Sequence, residues 1–326
     1  MIFQLLLQTI VAIGLLQMYP HDAGAVERRA TLPQAAPRAG VYEALSLLNH
    51  ALPQAAASGR GPTKVDKTSI GVVTSAVSAI VMDRQTGEIL YEKNADTPRS
   101  IGSISKLMAV LVFLQGKPNL DASASIQPED VRFGGEQHVA VGDQVTVRDL
   151  LKAALIGSDN TSVYALMRLS GMSEGDFVSR MNETAADMGL ENTTFEDPSG
   201  LSPENRSIAP DLARLVDEAV KNPIIRSLTE MPSADIVGTS GRVYKVETTD
   251  DLLGSFLNKP PYQIVGGKTG YLPEAGYCFG SVFSKNGKDE IVVVVLGSHS
   301  MQGRFQDAKA LAAWAYKAYA WPGENI

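Results

Sequence analysis

The order of apolar and polar positions predicts two strands and a helix in the region that begins near residue 69. The strands cover residues 75–82 and 88–92, and a short polar turn that ends in glycine joins them. After Ser103, apolar residues recur three and four positions apart as far as Leu114, which is the spacing of one helix face. A glycine and a proline follow, and they end the helix.

The middle of the chain repeats the helical spacing. Thr146 followed by Asp149 is typical of a helix start, because a hydroxyl caps the first turn and a carboxylate suits the positive end of the helix dipole. The helices predicted in this block span residues 149–156, 161–169, 174–188 and 210–221.

Strand patterns return after about residue 240. The sequence Asn286-Gly287 between two of these patterns is a strong signal for a tight hairpin turn. Residues 291–295 are too uniformly apolar for a strand with one exposed face. The patterns predict strands over residues 263–267, 276–284 and 289–296 and a closing helix over residues 305–320.

This order of elements predicts an α+β fold. Its centre is an antiparallel sheet flanked by helices, with a helical subdomain of about residues 115–235 inserted between the strands. We expect the folded domain to cover residues 68–326, and no internal repeat is visible in the sequence.

The first part of the chain has the composition of an export signal followed by a linker. Residues 2–16 are mostly apolar, and Ala23-Gly24-Ala25 is a small-residue cleavage pattern, so residues 1–25 are interpreted as a signal peptide. Because no basic residue precedes Arg28, either the start codon is misplaced or the signal is atypical. The alternative to a signal peptide is a buried N-terminal helix. Residues 26–67 are rich in proline and alanine and are predicted to be a linker, with a short helical patch at residues 42–52.

Composition narrows the class of protein. The 326 residues include 29 Lys and Arg against 36 Asp and Glu, and the net charge of −7 argues against a nucleic-acid-binding protein. One cysteine, Cys278, excludes an intramolecular disulfide, and its apolar surroundings predict a buried residue in a strand. The four histidines form no dense metal-binding motif, so we expect neither a metal nor an organic cofactor.

A first candidate for chemistry is the pair Ser103 and Lys106. Three residues make nearly one helical turn, so both side chains lie on the same face at the start of the predicted helix. A buried ammonium group loses its proton easily and then serves a neighbouring hydroxyl as a base. The alternative is a helix cap followed by a solvated lysine.

Two further motifs follow along the chain. In Ser158-Asp159-Asn160, a hydroxyl is available to pass a proton to a leaving amine and Asn160 to bind a substrate amide. In Lys268-Thr269-Gly270, a cation and a hydroxyl suit an anionic substrate group, and the glycine allows close approach. Taken singly, the alternative for Ser158-Asp159-Asn160 is an ordinary capping turn, and the alternative for Lys268-Thr269-Gly270 is a strand end with a turn glycine.

The three motifs in this order resemble those of penicillin-binding proteins and class A β-lactamases. The resemblance covers about residues 68–320, and segments such as Gly142–Leu151, Gly189–Phe195 and Ser207–Leu212 are similar too. It is strongest to the low-molecular-weight D-alanyl-D-alanine carboxypeptidases and their endopeptidase relatives. It implies a β-lactamase/transpeptidase-like fold.

The resemblance also implies a role for each site residue. Ser103 is similar to the acylated nucleophile, Lys106 to its base, Ser158 to a proton shuttle and Asn160 to a substrate-amide contact. The remaining residues are expected in the substrate-binding cleft, with the N–H groups of Ser103 and Tyr271 as the oxyanion hole and Arg304 as the partner of a terminal carboxylate. These cleft residues are Lys268, Thr269, Gly270, Tyr271 and Arg304.

The predicted function is that of a serine-type D-alanyl-D-alanine carboxypeptidase that trims peptidoglycan stem peptides ending in D-Ala-D-Ala through an acyl-enzyme. We expect β-lactams to be covalent inhibitors rather than substrates. The resemblance to class A β-lactamases would require a deacylating glutamate followed four residues later by Asn, and none of Glu191, Glu196 and Glu204 is followed in this way. The expected location is the bacterial periplasm or cell envelope, without a stable membrane span in the mature form and without a nucleic-acid partner.

Two alternatives stay open. One is a D,D-endopeptidase that cleaves cross-links, which the short chain after the closing helix favours and Arg304 opposes. The other is a catalytically silent cell-wall-binding protein on the same fold, which the intact Ser103, Lys106 and Lys268 oppose.

Overall fold

The structure, a computed structural model, describes residues 61–324 of the chain. The predicted signal peptide, the predicted helical patch at residues 42–52 and most of the predicted linker lie outside the described residues. Within residues 61–324, no helix is both long enough and apolar enough to cross a lipid bilayer.

Strands and helices alternate in blocks along the described residues. The strands are β1 (Thr63–Lys64), β2 (Ser78–Asp83), β3 (Ile89–Lys93), β4 (Arg99–Ser100), β5 (Ser123–Ser125), β6 (Gln144–Thr146), β7 (Arg206–Ser207), β8 (Ser233–Val237), β9 (Val243–Glu247), β10 (Tyr262–Leu272), β11 (Gly276–Lys285), β12 (Asp289–Ser298) and β13 (Tyr319–Ala320). The helices are α1 (Ser105–Gln115), α2 (Val147–Leu155), α3 (Asn160–Leu169), α4 (Glu174–Asp187), α5 (Ala209–Lys221), α6 (Pro223–Thr229) and α7 (Met301–Ala318).

The central sheet has five antiparallel strands in the order β10–β11–β12–β2–β3. The turn between β11 and β12 is formed by Asn286 and Gly287, whose φ angles of +57° and +69° belong to the left-handed region that such tight hairpin turns need. The predicted hairpin is therefore confirmed. The predicted antiparallel sheet is confirmed as well.

Strand β12 is buried on both faces, which explains its uninterrupted apolar run. Val292 and Val294 belong to the core shared with α1, α2 and α5. Ile291, Val293 and Val295 belong to a second core that α7 covers on the opposite face of the sheet. Successive strand residues point to opposite faces, so a strand between two helical layers needs an apolar residue at every position.

The helices of the middle block confirm the predicted ones to within a few residues. Helix α2 begins two residues before the predicted position, because the Thr146 hydroxyl accepts from the Asp149 N–H and the Asp149 carboxylate accepts from the Thr146 N–H. The sequence analysis did not predict helix α6, the hairpin β8–β9 or the short pair β5–β6. Helix α6 begins after Asn222, whose side chain accepts from the N–H groups of Ile224 and Ile225.

Both ends of the described chain differ from the prediction. Helix α7 begins at Met301, because the Ser300 hydroxyl accepts from the Gly303 N–H at 2.9 Å and so caps the helix earlier than expected. It ends at Ala318, and β13 then pairs with β1. Strand β1 lies within the predicted linker, so regular structure begins before the predicted boundary at residue 68.

A buried carboxylate joins the start of the sheet to helix α7. Asp307 on α7 accepts from the N–H and hydroxyl of Ser75 at 2.8 and 2.7 Å, from the Ala76 N–H at 2.9 Å and from the Ser298 hydroxyl at 2.7 Å. The Asp307 side chain thus accepts hydrogen bonds from the residues just before β2 and from the last residue of β12.

Replacing Asp307 by alanine should destabilise the domain strongly. The change leaves buried N–H groups without an acceptor, and we expect the free energy of unfolding to fall by about 3 kcal/mol or more. Urea denaturation of Asp307→Ala measures this loss. The matched control is Gln306→Ala at the exposed neighbouring position on the same helix. Equal stability of the two variants would contradict the assignment.

Candidate active site

The start of helix α1 brings Ser103 and Lys106 together. Ser103 lies in the 3-10 turn Gly102–Ile104, and α1 continues from Ser105 without a break. Ile104 and Leu107 are fully buried in the core on either side of Lys106, so the helix cannot turn its lysine toward solvent. The Lys106 Nζ lies 2.8 Å from the Ser103 Oγ.

Two further oxygen atoms contact the Lys106 amine. Its Nζ donates to the Asn160 Oδ1 and to the Ser199 carbonyl oxygen, each at 2.6 Å. A neutral amine has two N–H bonds and one lone pair. When both N–H bonds point at these acceptors, the lone pair faces the Ser103 hydroxyl, which is the orientation that a general base requires.

Burial makes the neutral form of Lys106 accessible. The side chain is fully buried, and loss of hydration lowers its pKa to about 7, although the carboxylates of Asp197 and Asp159 act in the opposite direction. At neutral pH a large fraction of the amine is therefore unprotonated. The alternative of a solvated lysine is wrong for this residue.

The Ser199 carbonyl is held in place by Asp197. The Asp197 Oδ1 accepts from the N–H groups of Ser199 at 2.7 Å and Gly200 at 2.8 Å, and its Oδ2 accepts from the Ser202 N–H at 2.6 Å. This turn has a local signal, since an aspartate followed two residues later by Ser-Gly is typical of a side-chain-capped turn. Neither Asp197 nor Ser199 is among the predicted site residues.

The second motif lies opposite the first. Ser158 has a φ of +60°, an unusual left-handed conformation for a serine, and its Oγ accepts from the Lys268 Nζ at 2.8 Å. Asp159 fixes the turn, because its Oδ1 accepts from the Thr161 N–H at 2.9 Å and its Oδ2 from the His138 N–H at 3.1 Å. The capping function predicted as the alternative is thus present, but in Asp159.

Lys268 is a second buried lysine, 1% exposed on strand β10. Loss of hydration lowers its pKa well below the usual range, and the positive charges of Lys106 and Arg304 lower it further. The strand was predicted to end at residue 267, but it continues to Leu272 and carries the whole third motif.

Strand β10 passes very close to the turn before helix α1, in which Ser103 lies. A Cβ atom on Gly102, whose φ is +54°, would lie 2.7 Å from the Tyr271 backbone nitrogen. A Cβ atom on Gly270 would overlap the Ile101 carbonyl oxygen. Glycine at both positions therefore allows the backbones to touch, and this contact brings the peptide groups of Ser103 and Tyr271 near each other.

Arg304 and Thr269 complete this side of the site. Arg304 is only 6% exposed, and its Nη1 donates to the Gly270 carbonyl oxygen at 3.3 Å. Arg304 is therefore not a solvated surface residue. The Thr269 and Thr249 hydroxyls are 2.7 Å apart, while Tyr271 is 47% exposed and stacks on Tyr277 with ring centroids separated by 4.4 Å.

The structure brings all nine predicted site residues together in one region through these contacts. Their arrangement pairs a hydroxyl with an amine base and sets a second hydroxyl beside a second amine, which suits acyl transfer through a serine. Asn160 has a position that the sequence analysis did not foresee, since its Oδ1 is bonded to Lys106 and its Nδ2 donates to the Gly134 carbonyl at 3.2 Å. Its contact with a substrate amide stays a prediction.

Comparison with known families gives a consistent result. The family model described as D-alanyl-D-alanine carboxypeptidase matches residues 65–300. A D-alanyl-D-alanine carboxypeptidase of Streptomyces sp. strain K15 is 33% identical over 272 residues, which cover 78% of this chain and 90% of the relative.

Two other relatives are similar over most of the described region. A D-alanyl-D-alanine endopeptidase of Pseudomonas aeruginosa is 32% identical over 241 residues, or 73% of this chain and 76% of the relative. The crystal structure of the Streptomyces K15 DD-transpeptidase superposes with a TM-score of 0.70 at 31% identity and covers 76% of this chain and 100% of that chain.

The unusual environment of Lys106 is measurable directly. We expect the 13Cε resonance of Lys106 to titrate near pH 7, about three pH units below a free lysine, because burial disfavours its charged form. NMR of protein labelled at lysine Cε measures this, and the Lys106→Arg variant identifies the signal by its disappearance. Titration of that signal above pH 9 would contradict the role of Lys106 as a base.

Proposed function

This chain belongs to the D-alanyl-D-alanine carboxypeptidase family, and from that membership and the geometry of the cleft we infer that it is a serine-type D,D-carboxypeptidase. The predicted family and the predicted β-lactamase/transpeptidase-like fold are confirmed. The observation that carries the proposed function is the contact of Ser103 with the buried Lys106 in a cleft that also holds Arg304.

In the proposed acylation step, Ser103 attacks the carbonyl carbon between the two terminal D-alanines of a peptidoglycan stem peptide. Its Oγ forms a bond to that carbon while the hydroxyl proton moves to the lone pair of Lys106 Nζ. The carbonyl oxygen becomes an oxyanion, and the N–H groups of Ser103 and Tyr271 are assigned as its donors. Their proximity across the Gly102 contact supports this assignment.

Collapse of the tetrahedral intermediate breaks the C–N bond and requires a proton on the leaving amine of D-alanine. We assign this transfer to Ser158, whose hydroxyl is bonded to Lys268: it gives its proton to the amine and regains the proton that Lys106 took from Ser103, which leaves Lys106 neutral again. Water then attacks the acyl-enzyme: its oxygen bonds to the carbonyl carbon as one of its protons passes to Lys106 Nζ, and the ester bond to Ser103 Oγ breaks as that proton moves on to Oγ. Lys106 is the group nearest to Ser103 that can activate this water.

The charge of the cleft favours a substrate with a free terminal carboxylate. Arg304 and Lys268 are both buried and lie near each other, because Arg304 Nη1 donates to the carbonyl oxygen of Gly270, two residues beyond Lys268 on strand β10. Buried cations with few anionic partners attract a carboxylate strongly, and a guanidinium binds it with two parallel hydrogen bonds. Thr269 and Gly270 lie on strand β10 next to Lys268 and are assigned to substrate binding.

A D,D-endopeptidase is the second candidate function. The observation in its favour is the 32% identity to the endopeptidase of Pseudomonas aeruginosa over 76% of that protein. Both reactions use the same acyl-enzyme, so the two candidates differ only in the group that leaves. A catalytically silent cell-wall-binding protein is a weaker alternative, because the contact between Ser103 and Lys106 is intact.

Location and binding partners are part of the proposal. Peptidoglycan lies outside the cytoplasmic membrane, so an enzyme that trims it must be exported, and the apolar run and cleavage pattern in residues 1–25 support a signal peptide. A linker would follow as far as the catalytic domain. Penicillins are proposed as covalent ligands, because acylation of Ser103 by the lactam carbonyl needs no group beyond those described.

Labelled penicillin tests the proposed nucleophile. We expect a stable adduct on Ser103, located by intact mass and peptide mapping, and no adduct on the Ser103→Ala variant. The control is Ser105→Ala, two residues along the chain, whose hydroxyl donates to the Gly102 carbonyl, accepts from the Asn205 Nδ2 and makes no hydrogen bond to the Lys106 amine among the described residues. This variant should still be labelled. A folded wild-type protein that is neither labelled nor able to hydrolyse the penicillin would support the silent alternative.

Substitution of Arg304 separates the two candidate activities. We expect Arg304→Ala to raise KM for a stem peptide with a free terminal carboxylate by about tenfold or more, because a charge-assisted bidentate contact is lost. The loss should be much smaller for a lysine-type cross-linked peptide, in which no carboxylate adjoins the scissile bond. Exposed Arg214 on α5 provides the control Arg214→Ala.

The wild-type rates on these two peptides decide between the functions. Faster release of D-alanine from the stem peptide supports the carboxypeptidase. Faster cleavage of the cross-link, together with equal effects of Arg304→Ala on both peptides, would overturn it in favour of the endopeptidase.

A further inference from the structure

The proposed mechanism leaves one buried acid beside the cleft without a role. Asp250 lies in the connection between strands β9 and β10, directly before the 3-10 turn Asp251–Gly254, and its side chain is only 5% exposed. The sequence analysis did not single it out. Its neighbours along the chain contact both elements that carry the positive charge of the cleft.

The residues on either side of Asp250 fix its position. Thr249 lies before it, and the Thr249 hydroxyl is 2.7 Å from the hydroxyl of Thr269 on strand β10. Asp251 lies after it and accepts from the Gln302 Nε2 at the start of helix α7 at 2.9 Å. Asp250 is therefore held between the strand that carries Lys268 and the helix that carries Arg304.

The Asp250 carboxylate is only half satisfied. Its Oδ1 accepts from the Leu252 N–H at 2.9 Å, but its buried Oδ2 has no hydrogen-bond partner among residues 61–324. The Arg304 Nε is likewise buried without a partner in the same part of the chain. An unpaired buried carboxylate oxygen is costly, so capping a short turn, which Asn or Ser does as well, does not explain an acid at this position.

The charges that face Asp250 come from three elements. Lys268 on β10 supplies a titratable amine, Arg304 on α7 a guanidinium and Asp251 in the following turn a carboxylate. The charge of Lys106 on α1 acts in turn on Lys268. Loss of hydration raises the pKa of Asp250 to about 7, although Arg304 and Lys268 oppose this rise. Both charge states of Asp250 are thus populated near neutral pH.

We propose that Asp250 is a positioning residue that acts through Arg304 and Lys268: its charge sets how strongly these two cations bind the terminal carboxylate of the substrate. The inference rests on the proposed function, because it assumes a substrate with a free carboxylate in this cleft. It adds to that function a pH-dependent preference for the carboxylate.

The sign of the effect follows from linkage. Below the pKa of Asp250 the acid is neutral, and both cations are free to attract the substrate carboxylate. As the pH rises through about 7, Asp250 ionises and repels that carboxylate, so its binding weakens. Because Asp250 and both cationic side chains are buried, where charges interact more strongly than in water, we expect a change of at least roughly three- to tenfold.

The test compares two substrates, because Lys106 also titrates near pH 7 and would obscure a single profile. One substrate is an acylated D-Ala-D-Ala peptide, and the other is the same peptide with its terminal carboxylate methylated. The ratio of their kcat/KM values cancels the titration of Lys106, which affects both substrates alike. This ratio is measured from pH 5.5 to pH 8.5 for the wild type, Asp250→Asn and Asp251→Asn.

For the wild type, we expect the ratio of acid to ester to fall by roughly three- to tenfold between the ends of this range. Asp250→Asn keeps an oxygen to cap the Leu252 N–H but cannot ionise, so its ratio should fall markedly less than that of the wild type, with only the titration of Lys268 left to lower it. The control Asp251→Asn removes an exposed carboxylate one residue away and should retain the fall.

Two results would overturn the inference. They are a wild-type ratio that does not change with pH, and a ratio that falls in Asp250→Asn as it does in the wild type. Circular dichroism of each variant verifies its fold, and Asp250→Ser is used if Asp250→Asn does not fold. Failure of the wild type to release D-alanine from the acid at any pH would instead refute the proposed function, and so the two failures are distinguishable.

Discussion

The site depends on one amine that the fold removes from water. Lys106 has no exposed surface, and its three polar contacts come from three separate parts of the chain. These are the 3-10 turn that carries Ser103, helix α3 with Asn160, and the turn capped by Asp197 that contains Ser199. Dehydration disfavours the ammonium form, while the two acceptors orient the amine that results. The helical region and the sheet must both be assembled before Lys106 acquires this environment, which links reactivity to the complete fold.

Contacts between backbones hold the cleft together. Gly102, Gly200 and Gly270 all lie where a Cβ atom would meet the backbone of a neighbouring segment, and Gly102 and Gly200 also have positive φ angles. A side chain at any of these positions would force the neighbouring segments apart. Since an oxyanion donor must lie within hydrogen-bond distance of the reacting oxygen, such a separation would remove Tyr271 from the site.

Local sequence signals predicted the sheet, the hairpin at Asn286-Gly287 and most helices, because turn chemistry and periodicity are properties of neighbouring residues. The order of three motifs was enough to identify the family. What the sequence did not predict is the contact of Lys106 with the Ser199 carbonyl, about ninety residues away, since a backbone oxygen has no residue-type signal. Helix α6 and Asp250 were missed for different reasons: the first is short, and the second is notable only for its burial.

The balance of charge in the cleft explains why a substrate completes it. Lys268 and Arg304 are buried within reach of each other's charge, and the Lys106 amine adds a third potential cation. Mutual repulsion and lost hydration favour any change that lowers the positive charge, whether release of a proton from a lysine or the arrival of an anion.

Asp250 supplies negative charge only in part, because its own burial opposes its ionisation. A permanently ionised carboxylate at this position would neutralise the positive charge of Lys268 and Arg304 and leave little attraction for the substrate. A neutral residue would leave that positive charge without any compensating anion. An acid that titrates near neutral pH lies between these extremes and leaves the strongest anionic contact to the substrate.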